Sequence, residues 1–267
     1  MALARRSRIS ILIASIALVL SSPGKGVPQT PTPSTQEPQL TLPQIVEKLV
    51  EMNLQRAEAL EQYRSRRLYR LDYTGFPKSL HAEMAVNMNY TAPATKQFEV
   101  LSQSGSKLLL DRVLKKLLLA EQEALKEENR AKVELNNRNY DFTKLEYDAT
   151  QLSCPYVLTV QPKIPSKLLY RGRIWVDAKD FAICRIEAEP AKNPSFWIKK
   201  TDIHHSYLKV GDFWMPSENK SVSSVRFFDR AVLTIQYQDY VILVSHALKK
   251  DDTSWSLPAG SVTKHLD

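Results

Sequence analysis

Between Asn139 and Leu243 the chain shows turn signals but no helical period, and that one feature excludes most architectures. Strand-like runs follow one another at Tyr140 to Tyr147, Cys154 to Gln161, Lys167 to Asp177, Phe181 to Glu187, Ile198 to Leu208, Phe213 to Phe227 and Ala231 to Leu243. Turn-forming residues separate them at Pro162 to Pro165, Ala178 to Asp180, Asn193 with Pro194, Gly211 with Asp212, and Asp229. Parallel strands need a long crossover between each pair. Strands joined by turns this short are therefore antiparallel neighbours.

The first half of the chain adds three more strands. Leu80, Ala82, Met84, Val86, Met88 and Tyr90 alternate with His81, Glu83, Ala85, Asn87 and Asn89, the period of a half-buried strand. Arg66 to Tyr73 before it and Lys96 to Ser102 after it, the latter with Phe98 and Val100, complete a meander. In the last strand Ala231, Leu233, Ile235 and Tyr237 share a face, but after Gln238 the apolar set moves to Tyr240 and Ile242. That change of parity predicts a β-bulge, which bends a sheet.

Two segments have a helical period. Thr41 with Gln44 forms a capping box, and Ile45, Val46, Leu49, Met52, Leu54 and Leu60 predict an amphipathic helix reaching about Tyr63. Ser106 caps a second helix running to Arg130, with a stripe of Leu110, Val113, Leu114, Leu117, Leu118 and Leu125. Leu108, Leu109 and Leu119 widen that stripe beyond what one packing face needs, and its charged end, Glu121 to Arg130, is expected to project into solvent. The fold class expected is α+β: a single large curved antiparallel sheet, an unclosed half-barrel of about ten strands, with two main helices covering its concave apolar face.

The amino terminus is of another kind. Arg5, Arg6 and Arg8 precede the apolar run Ile9 to Leu20, and small residues follow, the pattern of a secretory signal peptide. The expected organisation is a signal peptide at 1–26, a Pro/Thr/Ser/Gln-rich linker at 27–40, one domain at 41–243 and a polar tail at 244–267. The formal charge of +8 shrinks accordingly. Removing Arg5, Arg6, Arg8 and Lys25 from the 37 basic residues leaves 33 against 29 acidic, or +4, too diffuse to argue for nucleic acid. Export also permits a disulfide between the two cysteines, Cys154 and Cys184. In a simple meander they lie two strands, roughly 9 to 10 Å, apart, beyond the reach of a bridge. Two separate buried thiols are expected unless the strand order differs.

Catalytic signatures are absent. The seven glycines form neither a G-x-G-x-x-G nor a G-x-x-x-x-G-K cradle, and neither HExxH nor G-x-S-x-G occurs. His204 and His205 point to opposite faces of a strand, so they do not converge on one ion, and a solvated strand surface is the expected reading. No catalytic residue, metal or cofactor is expected, and the chain reads as a non-enzyme. Trp175 stands beside Arg171 and Arg173 on a polar face, where it either meets a partner or covers the outer sheet surface.

The remaining signal is shape. Leu168, Tyr170, Gly172, Ile174 and Val176 share one face, apolar except for a central glycine. A glycine inside a strand marks a sharp bend or a close approach by a ligand. Two readings stay open at this point: a hollow beneath the helices lined in part by adaptable methionines, Met84 and Met88, or a solid core in which Gly172 receives a large side chain.

The hairpin from Gly172 to Ile186, within "YRGRIWVDAKDFAICRIEAEPAKNPSFWIKK", together with "YLKVGDFWMPSENKSVSSVRFFDRAVLTIQYQDY", resembles the bacterial outer-membrane lipoprotein-sorting proteins of the LolA-like superfamily. The resemblance covers about Leu42 to Leu243. It implies a periplasmic, monomeric carrier whose helix-lidded half-barrel takes the acyl chains of a lipoprotein or another lipid, between an inner-membrane donor and an outer-membrane acceptor. Envelope regulators that bind proteins share this fold and form the alternative. The expected lining is Met84, Val86, Met88, Tyr90, Phe98 and Val100 from the first meander, Leu114, Leu117 and Leu118 from the second helix, and Leu168, Tyr170, Gly172, Ile174 and Val176 from the glycine-bearing strand.

Overall fold

The computed structural model describes residues 40–193, 196, 198–225 and 229–244. The expected signal peptide, nearly all of the linker, the tail beyond Val244, and Trp197 and Phe227 lie outside the described residues. Residues 1–39 and the chain from Leu40 onward are two separate units, and the sheet belongs to the second.

Ten strands form one open antiparallel sheet. In chain order they are β1 (Leu60–Thr74), β2 (Leu80–Thr91), β3 (Thr95–Gly105), β4 (Tyr140–Tyr147), β5 (Tyr156–Pro162), β6 (Tyr170–Val176), β7 (Ile183–Pro190), β8 (Ile198–Val210), β9 (Phe213–Val225) and β10 (Arg230–Val244). Their spatial order is β3-β2-β1-β10-β9-β8-β7-β6-β5-β4. Two meanders are thus joined where the first strand pairs with the last, and β3 and β4 are the free edges. The bulge expected near Gln238 is present. Arg64 pairs with Val241 and Arg66 with Gln238, so Asp239 and Tyr240 together oppose Ser65, and Asp239 adopts a positive φ of 54°.

Helix α1 (Leu42–Ala59) begins as expected, with the Thr41 backbone N–H donating to Gln44 Oε1 at 2.9 Å. It ends at Ala59, four residues earlier than its periodicity suggests. Leu60 already pairs with Val244, and strand pairing overrides the helical tendency there. The second helical segment also departs from expectation. It comprises α2 (Lys107–Leu109), a π-helical turn at Leu110–Leu114, α3 (Lys115–Ala124) and, after a break, α4 (Glu127–Val133). The N–H groups of Leu125 and Lys126 bond three residues back, to Gln122 and Glu123, and Lys126 turns extended (ψ 142°). The charged end does not project as a continuous rod. It folds back, and Val133 and Leu135 pack onto the sheet.

The concave face carries two apolar clusters. Ile45, Val46 and Leu49 of α1 cover Leu158, Val160, Ile174, Val176 and Ile186 on β5–β7. Leu109, Leu110, Leu114 and Leu118 cover Tyr69, Leu71, Met84, Val86 and Ile235 on β1, β2 and β10. A continuous apolar face is therefore not what the sheet presents. On β9 the registers place Asn219, Ser221 and Ser223 beside Ile235, Leu233 and Ala231, and on β8 they place His205, Ile203 and Thr201 beside those same β9 residues. Small polar side chains interrupt the wall, and Thr201 and Ser223 hydroxyls bond each other at 2.8 Å.

On the outer face Cys154 and Cys184 form a disulfide with Cα atoms 6.6 Å apart. The two-strand separation fails because β5 begins only at Tyr156. Cys154 belongs to the preceding loop, which closes over the end of β6 through the Ala178 N–H to the Ser153 carbonyl. Trp175 packs against this bridge, 5% exposed, between the guanidinium groups of Arg173 and Arg185 at 5.0 and 4.7 Å. It is a cover on the outer sheet surface.

Gly172 has a local cause. Its φ is +154°, and a Cβ there would collide with the Glu187 carbonyl oxygen and lie 2.6 Å from Ala188 Cα. The close approach is made by β7, to which Gly172 is paired through Ala188. Gly172→Ala should lower unfolding free energy by about 2 kcal/mol or more, through backbone strain and displacement of β7. Denaturant titration of the two proteins measures this, and equal midpoints would show that the strand pair yields freely.

Candidate functional site

The site candidates from sequence fall into three groups. Met84, Val86, Leu114 and Leu118 come together in the cluster under the second helical segment, with Phe98 and Leu117 half-buried against it. Met88 is fully buried. Ile174 and Val176 lie in the other cluster, under α1, with Tyr170 packed against it. The expected single lining is thus divided between two halves of the concave face.

Three placements need correction. Leu168 precedes β6, which begins at Tyr170, and is 55% exposed; Leu169 is the buried residue, because the chain enters the strand one position out of phase. Val100 sits opposite Val86 but on the free edge strand, with no neighbour beyond it, and is 43% exposed. Gly172 touches the neighbouring strand through its backbone. His204 is exposed, but His205 faces the interior, so the solvated-surface reading holds for the first histidine alone.

Sequence reasoning missed the polar centre of this face. Arg67 of β1 is 3% exposed and donates to Glu121 Oε2 of α3 at 2.7 Å, while Lys96 Nζ of β3 reaches Glu121 Oε1 at 2.5 Å. Gln122 adds a bond from its side-chain amide to the Lys96 carbonyl at 2.8 Å. Aromatic rings surround the guanidinium: Phe98 at 5.5 Å and Tyr237 at 5.0 Å from their centroids. Tyr63 stacks near Tyr90 and Tyr240, at 5.2 and 6.1 Å. The parity signal was present, since Arg67 shares its face with Tyr69 and Leu71, but a charged residue in an apolar alternation reads as a break in the pattern.

Electrostatics follow from this enclosure. Burial works against the Glu121 carboxylate, yet Lys96 and Arg67 outweigh it and hold the group below its ordinary range. Burial likewise opposes the Arg67 cation, and Glu121 more than compensates, so the guanidinium stays charged. Burial pushes the Tyr63 and Tyr207 phenols up to about 12. Burial lowers His205 to about 4, only partly opposed by Glu121. On the face that the helices cover, Ser65 Oγ, Arg67 Nε and His205 Nε2 are buried without a hydrogen-bond partner among the described residues.

No group of three or more His, Cys, Asp or Glu among the described residues is arranged to hold a metal ion. Clefts of about 610 Å³ (lined by Arg64, Arg66, Asn87, Glu99 and Val241, among others) and about 230 Å³ (Leu68, Arg70, Glu83, Thr234) open on the outer face. They lie opposite the clusters expected to line a hollow. Beneath the helices the walls are in contact with the chain's own side chains: Leu114, Val86 and Met88 are 0% exposed.

No protein-family model matches the chain, and no curated protein matches it. Solved structures similar to it include a DUF1329 family protein from Desulfovibrio piger, 12% identical, covering 74% of this chain and 91% of that one at a TM-score of 0.38. A LolA superfamily protein from Nitrosomonas europaea is 13% identical, with 75% and 93% covered and a TM-score of 0.32. A putative outer membrane lipoprotein-sorting protein domain from Vibrio parahaemolyticus is 10% identical, with 77% and 95% covered and a TM-score of 0.36. The likeness is in the course of the chain, and no residue's role is taken from it.

Removing one member of a buried ion pair strands its partner. Glu121→Gln should destabilise the protein by about 3 kcal/mol, and Arg67→Met/Glu121→Leu should recover most of that loss; a double-mutant cycle in denaturant reads both. A second expectation concerns pH. His205 is neutral in the fold down to about 4 and charges near 6.5 when unfolded. Its contribution is complete above pH 6.5 and is lost as pH falls towards 4, because the unfolded chain binds the extra proton. Glu121 acts below its ordinary range, lower on the scale. His205→Gln should therefore flatten the stability slope between pH 6.5 and 4.5, and an unchanged slope would place the titrating group elsewhere.

Proposed function

We propose that this chain is a periplasmic lipid carrier, and that it admits acyl chains between the helical segment 107–124 and the concave face of β1–β3 and β10. The observation that carries this reading is how that segment is held. Its leucines, Leu110, Leu114 and Leu118, rest on Met84, Val86 and Tyr69 without any polar bond, and its far end is latched by Glu121 to Arg67 and Lys96. Leucine contacts with methionine and valine exchange for contacts with a hydrocarbon tail at small net cost, each enclosed methylene contributing about 0.8 kcal/mol. The latch ions, once separated, regain water. A lid of this construction can lift without leaving a large unsatisfied penalty on either side.

The polar centre suits an amphiphile better than a bare hydrocarbon. Ser65 Oγ, Arg67 Nε and His205 Nε2 offer unused hydrogen-bonding capacity beside apolar walls. An ester or acylated terminus would meet them while its tails occupy the leucine side. The LolA-like resemblance of the hairpin from Gly172 to Ile186 supports the same reading, as does the secretory pattern of the amino terminus.

Native mass spectrometry of gently purified protein tests it. The expected result is a co-purified mass of diacyl lipid, or uptake of added phospholipid by stripped protein, with Leu117→Asp lowering the bound fraction at least about tenfold while circular dichroism stays unchanged. Leu117 is half-buried, so the substitution can fold. Protein that stays empty in excess lipid, with its fold intact, would remove the carrier reading.

A further inference from the structure

The outward side of the same helical segment carries a second pattern that carriage of a lipid does not use. Leu108 and Leu119 are 54% and 63% exposed, although they belong to the helix that supplies the buried leucines. Between them Arg112, Lys115 and Lys116 are exposed as well, as is Lys107 beside Leu108. From 107 to 119 the segment has four basic residues and one acidic, Asp111. Asp111 is paired with Lys115 at 2.7 Å. Arg112 and Lys116 make no ion pair among the described residues.

Positions 108, 112, 115 and 119 are all exposed, with a leucine at each end and cations in the middle, and the π-helical turn at Leu110–Leu114 offsets the two ends of this stripe around the axis. The two leucines are about 16 Å apart along the axis. A fluid surface of phosphates over hydrocarbon matches all the elements at once: Arg112 and Lys116, which have no ion pair among the described residues, meet phosphates beside the Asp111-paired Lys115, and two separated apolar side chains enter the acyl boundary. Neither signal suffices alone for stable attachment, and the stripe combines both.

We propose that the exposed stripe Leu108–Arg112–Lys115–Leu119, with Lys107 and Lys116, docks the protein on anionic lipid bilayers. The docking surface is the outer side of the lid, so attachment places the membrane against the element that must lift. The docking itself needs no cargo and stands apart from the carrier reading.

The test uses the full chain with an environment-sensitive fluorophore on the single thiol of Leu119→Cys. The native cysteines are bonded to each other and leave that thiol unique. A matched label on Lys163→Cys, on the turn after β5, is the control, because the apolar run near the amino terminus can itself bind vesicles. Phosphatidylglycerol vesicles should shift the 119 label to the blue and leave the 163 label unmoved, whereas phosphatidylcholine vesicles should move neither. Arg112→Gln/Lys116→Gln should weaken the response by roughly 30-fold, and about 0.5 M salt should abolish it. A 119 label that stays unshifted on anionic vesicles, responds equally to neutral ones, or shifts no more than the 163 label overturns the proposal. Flotation of unlabelled Arg112→Glu/Lys115→Glu, expected to be weaker than that of the unsubstituted protein, repeats the test without touching a leucine; equal flotation counts against the stripe.

Discussion

An open sheet with an apolar face must have that face covered, and here two helical segments do most of it, with Val133 of α4 adding to the far half. Much else in the molecule depends on where those segments occur in the sequence. Segment 42–59 precedes β1 and folds onto the far half, over β5–β7, where Ile45, Val46 and Leu49 find Leu158 and Ile174. Segment 107–124 lies between β3 and β4, the two free edges, and covers the near half. Neither spans the whole width, and on the middle strands β8 and β9 it is Tyr207 that packs against the far cluster. Around it the interior positions are Thr201, Ile203 and His205 on β8 and Asn219, Ser221 and Ser223 on β9, all but Ile203 residues that tolerate partial hydration.

This division explains the tyrosines and the ion cluster. A boundary between two dry patches is a place where side chains with one apolar body and one polar tip pack well. Tyr63, Tyr207, Tyr237 and Tyr240 occupy it, and Tyr240 sends its hydroxyl to the Pro216 carbonyl at 2.7 Å. Arg67 enters the same boundary from β1. A lone guanidinium could not remain there, and the carboxylate that neutralises it arrives on α3, so the cation fixes where the helix lands. A π-helical turn at Leu110–Leu114 precedes α3, and Leu110, Leu114 and Leu118 all stay buried against the sheet.

The alternation of Leu80 to Tyr90 and the parity change after Gln238 were legible because each depends on a run of neighbours in one strand. Side-chain period and strand pairing agree there. Legibility failed where a long-range contact decides. Leu60 looks helical until Val244 pairs with it; Leu168 and Leu169 are indistinguishable until the turn before β6 sets the phase; Cys154 seems two strands from Cys184 until its loop closes over the β6 end. For the site, the apolar half was readable from periodicity, as Met84, Val86 and Leu114 show. Arg67, Glu121 and His205 were not, since a charged or titratable residue in a pattern reveals its partner only when distant elements meet. Gly172 stands out as a strand-interior glycine, but the group that approaches it is the backbone of β7, which only the folded sheet reveals.

A helix normally has one apolar stripe and one wet face, and the segment 107–124 has more than that. Its inner stripe rests on Met84 and Val86, its end is ionic, and its outer side mixes leucine with exposed cations. Helix propensity and packing on the sheet account for the first. Leu108 and Leu119 lie on the wet side and take no part in packing on the sheet. Apolar side chains kept on both sides of one short element are consistent with an element that meets hydrocarbon from either side. The inner leucines are satisfied by the sheet, and Leu108 and Leu119 are more than half exposed. On the carrier reading proposed above, this asymmetry would give the segment a resting state against the sheet and an outer surface that meets a second apolar phase, with no change needed in the sheet beneath it.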